Sequence, residues 1–197
     1  MSPPENARVL AVDETSNIQA LDRSAPILPM LATTPARMRH DYVRHGTTSL
    51  FAAFDISSGS VIAQQYRRHR HQDFLRFLKL IDQAVPKVLD LHLVLDNYAT
   101  HKAPQVTAWL IKHPRFHLHF TPPSGSWLNL VERWFAELTN RKACRSVHRS
   151  VTELEADIRH WINRWNDDPK PFVWTKTADQ ILDTLASYCT QVNGSNR

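Results

Sequence analysis

A chain of 197 residues, 42% of them apolar, is long enough to bury a core of ordinary size, and its composition excludes a disordered or low-complexity protein. The formal net charge of +5, with eleven histidines in reserve, points to a polyanionic partner. Two cysteines, Cys144 and Cys189, exclude a disulfide framework, and four scattered glycines exclude the clustered-glycine loops that cradle phosphates or dinucleotides.

Residues 1–7 read as a disordered N-terminal end and 191–197 as a frayed tail, which leaves 8–190 as a single domain. Residues 8–14 (RVLAVDE) form a short apolar run ending on two acids, the pattern of a buried strand with Asp13 near its end. Residues 15–42, with Pro26, Pro29 and Pro35, show no strong period and read as an extended loop with short pieces of structure. Residues 47–54 and 60–66 are β-rich and flank the turn signal DISSG, which predicts an antiparallel hairpin. After RRHRH at 67–71 comes a helix of about fifteen residues with Phe74, Leu75, Leu78, Ile81 and Val85 on one face, stopped by Pro86. Residues 91–96 (LHLVLD) are a second apolar run that ends on an acid, Asp96, and a helix over 103–113 follows.

Residues 116–138 read as a short strand, a Pro/Ser/Gly break and an amphipathic helix capped by Ser126. Trp127, Leu130, Val131, Trp134 and Leu138 make its apolar face, and Glu132 falls on the shoulder of that face. Ser150 and Glu153 then open a helix through a capping box, residues 166–171 break it, and a last helix runs to about Tyr188. A hairpin followed by alternating strands and helices predicts an α/β fold: a mixed five-stranded sheet flanked by helices, the order of a ribonuclease H-like sheet. No apolar run reaches the length of a membrane span and the N-terminus has no signal region, so a cytoplasmic protein without a membrane partner is expected.

If the two apolar runs lie side by side, Asp13 and Asp96 end together and Glu132 approaches from the helix above. Three converging carboxylates without matching cations cannot all stay charged cheaply, and a hard divalent cation is the natural counter-charge. Turn or cap acids, and a solvated flank glutamate, are the plainer readings of the same residues. His117 and His119 alternate along one strand, but no cysteine pair accompanies them, so a zinc site is not expected.

VDE at 12–14, LDNYATH at 95–101 and PPSGSWLNLVERWFAEL at 122–138 together resemble a DDE transposase, in particular the mariner-related branch of bacterial insertion-sequence transposases. Residues 40–55 and 170–182 are similar to that branch too, and the mid-thirties interval from Asp96 to Glu132 matches its second and third acids. The resemblance implies a ribonuclease H-like (retroviral-integrase-like) fold and a catalytic, metal-binding triad of Asp13, Asp96 and Glu132. It implies Mg²⁺ as the metal, with Mn²⁺ able to substitute. The implied activity is cleavage at the DNA ends of an element and transfer of the freed 3′-hydroxyl into target DNA. The implied partners are double-stranded DNA and a second copy of the chain, as a homodimer on DNA.

Asn97 and His101, in the loop after the second acid, are candidates for orienting DNA or the metal's water, or for a loop or cap role. Arg67, Arg68 and Arg70, and Arg141, Lys142 and Arg145, are candidate phosphate contacts, with a solvated connection as the alternative. Relatives of this kind carry an N-terminal helix-turn-helix region. The first acid stands only thirteen residues in, so either a separately encoded helix-turn-helix subunit supplies that region or this is a trimmed or decayed catalytic half. Two other functions compete: a ribonuclease H-like nuclease without strand transfer, and a catalytically silent DNA-binding fragment.

Overall fold

The structure, a computed structural model, describes residues 6–23, 42–121, 130–139 and 147–171. Five strands form one sheet in the order β3-β2-β1-β4-β5. They are β1 (Ala7–Arg23), β2 (Tyr42–Asp55), β3 (Val61–Tyr66), β4 (Asp90–Leu95) and β5 (Phe116–Phe120). β1 and β2, and β2 and β3, pair antiparallel, whereas β4 is parallel to β1 and β5 is parallel to β4. The expected mixed five-stranded sheet is therefore present.

Helices cover both faces, as alternation along the strands requires. On one face Leu10, Val12, Phe51, Ala53, Leu91 and Leu93 meet Phe74, Phe77, Leu78 and Ile81 of α1 (His71–Ala84) and Val106 of α2 (Pro104–Ile111). On the other, Ala11, Leu50, Ala52, Phe54 and Val61 meet α3 (Leu130–Leu138) and α4 (Val151–Asp167). Trp134 of α3 packs on Trp161 of α4 with ring centroids 5.3 Å apart. Ser150 caps α4 as expected, accepting from the Glu153 N–H at 3.1 Å, while the Glu153 carboxylate reaches back to the Arg149 N–H at 2.8 Å.

The sequence reading errs in two places, the outer part of β1 and one core position of α1. Residues 15–23 are not loop: β1 continues through them against the first half of β2, beyond a register shift between Thr15 and Ile18. Asn17 sits there at φ 58°, a left-handed conformation that asparagine tolerates better than most residues, and the irregularity hides the strand's period. In α1 it is Phe77, not Leu75, that is fully buried. The segment after β4 opens with a short 3₁₀ turn, Ala99–Lys102, before Pro104 starts α2 at the position where its missing N–H costs nothing. The expected Ser126 cap, Trp127 and the last helix lie outside the described residues.

β3 is an edge strand, and α4 closes it. Asn166 acts as a stand-in for a sixth strand: its Oδ1 accepts from the Val61 N–H and its Nδ2 donates to the Val61 carbonyl, both at 2.8 Å. Trp165 Nε1 donates to the Gly59 carbonyl at 2.9 Å in the adjoining turn.

Candidate active site

Asp13 and Glu14 are neighbours in β1, so the pleat sends them to opposite faces of the sheet. Asp13 follows Ala11 onto the α3/α4 face, and Glu14 follows Leu10 and Val12 onto the α1/α2 face. The parallel register of β1 and β4 runs from Ala7 opposite Asp90 to Ala11 opposite Val94. Continuing that offset by two residues brings Asp13 level with Asp96. Because Leu91, Leu93 and Leu95 face α1 and α2, Asp96 projects to the same side as Asp13. Glu132 lies in the first turn of α3 and is exposed, while Val131 and Trp134 beside it are buried against the sheet.

The three carboxylates share one electrostatic field. Burial pushes Asp13 up to about 7; the Glu14 N–H, 2.8 Å from its Oδ1, works against this, while the charges of Glu14, Asp96 and Glu132 add to it. Glu132 is raised as well, by partial burial and then by Asp96. The donor set is all oxygen and anionic, which suits a hard divalent cation. Among the described residues no three His, Cys, Asp or Glu side chains are already drawn into a ligand cage.

His101 ties the two faces together. It is buried at 2% exposure. Its Nδ1 lies 3.2 Å from the Asp96 carbonyl and 3.2 Å from Asp96 Oδ1, and its Nε2 lies 3.3 Å from Glu14 Oε2. Burial lowers the basicity of the ring, but the Glu14 hydrogen bond and charge, and then Asp96, outweigh it and raise the pKa above the ordinary histidine value. Phe74, in the first turn of α1, packs on the ring at 4.4 Å between centroids. The Tyr98 N–H donates at 3.2 Å to the same Asp96 Oδ1, closing a short turn. Glu14 is the residue that sequence reading missed as part of the site. The available signal was its place beside Asp13, which under strand alternation sets it behind the sheet.

Asn97 is exposed. Arg67, Arg68 and Arg70 are exposed between β3 and α1, and Arg141, Lys142 and Arg145 lie outside the described residues. His117 and His119 meet His92 across β4 and β5, with His92 Nδ1 2.9 Å from His119 Nε2. Their rings stack on His92 at 4.8 and 5.1 Å between centroids. Among the described residues, no helix is long and apolar enough to cross a membrane.

A family model described as DDE superfamily endonuclease matches residues 8–155. An insertion element IS630 uncharacterized 39 kDa protein of Shigella sonnei is 27% identical over 89 residues, which are 45% of this chain and 26% of that protein. Among solved structures, the pre-cleavage Mos1 transpososome is similar at TM-score 0.60 and 14% identity, over 84% of this chain and 57% of that one. The Mos1 mariner paired end complex with Mn gives 0.61 and 14%, over 80% and 48%. The catalytic domain of Mos1 mariner transposase gives 0.55 and 10%, over 81% and 71%. At such identities the likeness establishes the fold, which is ribonuclease H-like. This chain spans about a quarter of the curated relative and about half of the first two structures. The family model covers most of the chain, from the start of β1 into α4, and on that ground the chain belongs to the DDE superfamily endonuclease family.

Proposed function

We propose that this chain is the catalytic domain of an insertion-sequence transposase, which cleaves DNA at the ends of an element and joins the freed 3′-hydroxyl to target DNA. The observation that carries this reading is the shared field of Asp13, Asp96 and Glu132 at one end of the sheet. The three side chains would hold Mg²⁺, or Mn²⁺ in its place. When bound, the metal supplies Lewis-acid stabilisation of the charge that builds on the reacting phosphate.

The chain's own groups do the positioning. Asp96 is held at Oδ1 by the Tyr98 N–H and by His101. Glu14 in turn fixes the imidazole and favours its charged, doubly donating form. Asp13, held near 7, surrenders its remaining proton share when positive charge arrives. Glu132 is exposed on a helix whose inner face is anchored, so it is presented to substrate from a rigid support.

In the cleavage step water oxygen bonds to phosphorus and the P–O3′ bond breaks, leaving a 3′-hydroxyl and a 5′-phosphate. In the transfer step that 3′-oxygen bonds to a target phosphorus and the target's own P–O3′ bond breaks, so one phosphodiester replaces another. The partners are double-stranded DNA and, because two ends are paired, a second copy of the chain. The Mos1 structures contain paired-end and transposon-end complexes, which supports DNA as the partner.

The test is nicking and strand transfer on supercoiled plasmid with Mg²⁺ or Mn²⁺, comparing the wild type with Glu132→Gln. Loss of activity by about a hundredfold or more in the variant is the expected result. Equal activity in both removes Glu132 from the mechanism. Nicking without joining of pre-cleaved ends would indicate a ribonuclease H-like nuclease, and binding without any turnover a silent DNA-binding fragment.

A further inference from the structure

Between the last residue of β3 and the second turn of α1 lies a cleft of about 390 Å³, lined by Tyr66, Arg67, Arg68, Arg70, Gln72 and Arg76, with Asp73 at its base. That volume falls within the range of ligand-binding clefts, roughly 300–1,000 Å³. Its charge is lopsided, four arginines against one aspartate. Asp73 is already committed: Arg76 Nη1 and the Arg70 backbone N–H each approach its carboxylate at 3.3 Å. Arg67, Arg68 and Arg70 have no acidic partner among the described residues, and all three are exposed. Packing three unpaired guanidinium groups into four consecutive positions costs repulsion that an anion would relieve. Arginine's planar, forked donors fit the oxygens of a phosphodiester.

The position of the cleft says which anion. β2 is antiparallel to both β1 and β3, so β3 runs parallel to β1 and its end opens on the edge of the sheet where β4 delivers Asp96. Asp13 pairs with Ala52 and Ala52 with Ala63, so Tyr66 stands two strands across and three residues beyond the row of Asp13. Each of those displacements is about 10 Å. In the plane of the sheet the path is therefore about four base-pair rises of roughly 3.4 Å along a duplex axis, with the cleft on the α1 face and Asp13 on the α3/α4 face. The link is physical as well, since Phe74 of the same first turn packs on His101, which contacts Asp96. A cluster of carboxylates repels the backbone it must cut, so a strand held there needs cations close by but outside the cluster.

We infer that this cleft is a subsite for the phosphodiester backbone of duplex DNA, holding the strand a few nucleotides from the phosphate presented to Asp13, Asp96 and Glu132. The inference rests on the reading of those acids as a DNA-cleaving centre. The subsite reads charge and spacing, not sequence.

The experiment measures equilibrium binding of a short labelled duplex of arbitrary sequence to the full chain in EDTA, across about 50 to 200 mM salt. The variants are the triple Arg67→Ala/Arg68→Ala/Arg70→Ala, the matching triple Arg→Lys, and Lys112→Ala, an exposed lysine at the far end of α2. Thermal melts check that each variant folds. The triple alanine variant is expected to lose affinity and to flatten the plot of log K against log salt by about 0.9 per arginine removed. The lysine triple keeps most of the salt slope, and Lys112→Ala keeps both slope and affinity. Wild-type affinity and slope in the triple alanine variant would overturn the subsite. So would failure of the wild type to bind, or competition by polyglutamate as effective per charge as DNA. A wild type that binds through these arginines but never nicks plasmid with Mg²⁺ or Mn²⁺ leaves the subsite standing and removes the cleavage reading. Nicking that is unchanged in the triple alanine variant does the reverse.

Discussion

His101 is the residue on which the site's geometry turns. Both ring nitrogens are engaged, one by Asp96 and one by Glu14, and the ring has almost no contact with solvent. Replacing it removes a support of Asp96 and leaves the Glu14 carboxylate partly buried beside a cavity. His101→Ala is expected to lower metal-dependent nicking about 10–100-fold, with partial recovery at raised Mn²⁺. A titration of activity against Mn²⁺, alongside a melt, checks this. A purely structural role would lower the melting temperature without shifting the metal requirement. Asp13, Asp96 and Glu132 stand out in the sequence as candidates, because an acid at the end of an apolar strand and an acid on the shoulder of an apolar helix are both local anomalies. The Glu14–His101 contact was not legible there, since it joins residues 87 positions apart and nothing local to either names the other.

At the scale of elements, the edge of β3 shows how α4 stabilises the sheet. Asn166 satisfies both backbone groups of Val61, so Asn166→Ala strips one donor and one acceptor of their partners at once. A loss of about 1–3 kcal/mol is expected, read as a shift of the urea midpoint at constant slope. Gly59, in the neighbouring turn, holds φ +75°, and a Cβ there would meet the Lys170 carbonyl oxygen at 2.1 Å. Gly59→Ala should cost about 1–3 kcal/mol in the same titration, from strain and from displacement of residues 169–171. The hairpin and the helices were legible because their periods of two and near four are unbroken. The outer half of β1 was not, because Ser16 and Asn17 interrupt the alternation and only the distant first half of β2 completes the ladder.

For the whole molecule, acidity and stability are coupled through the site. Asp13 keeps in the folded state, up to about 7, a proton that the unfolded chain releases near 3.8. Its contribution to stability is full below the unfolded value and is lost as pH rises to about 7. The raised Glu132 and His101 act in the same direction, His101 losing its share as pH rises through its folded value. Asp55 and Asp82 act oppositely. Against burial, Ser57 and Arg8 hold the first and Lys87 and Arg115 the second below the ordinary carboxylate value, so their contribution is lost as pH falls through their folded values. The metal-free protein should therefore melt at a higher temperature at about pH 5.5 than at about pH 8, and Asp13→Asn should flatten that difference. A set of melts in EDTA measures it. The overall sheet was legible from the order of strands and helices. The alignment of Asp13 with Asp96 was not, because it depends on a register that only the folded pairing fixes.

The break in register after Thr15 divides β1 into two halves with different tolerance to changes in chain length. Ahead of it, removing or adding a single residue would exchange the faces of Asp13 and Glu14, turning Glu14 toward the α3/α4 side and Asp13 toward the α1/α2 side where His101 lies. Beyond it, the ladder already absorbs an offset, and a length change there alters no carboxylate's side of the sheet. Insertions and deletions in natural variants of this chain should therefore accumulate after Thr15 and be absent between residues 8 and 13.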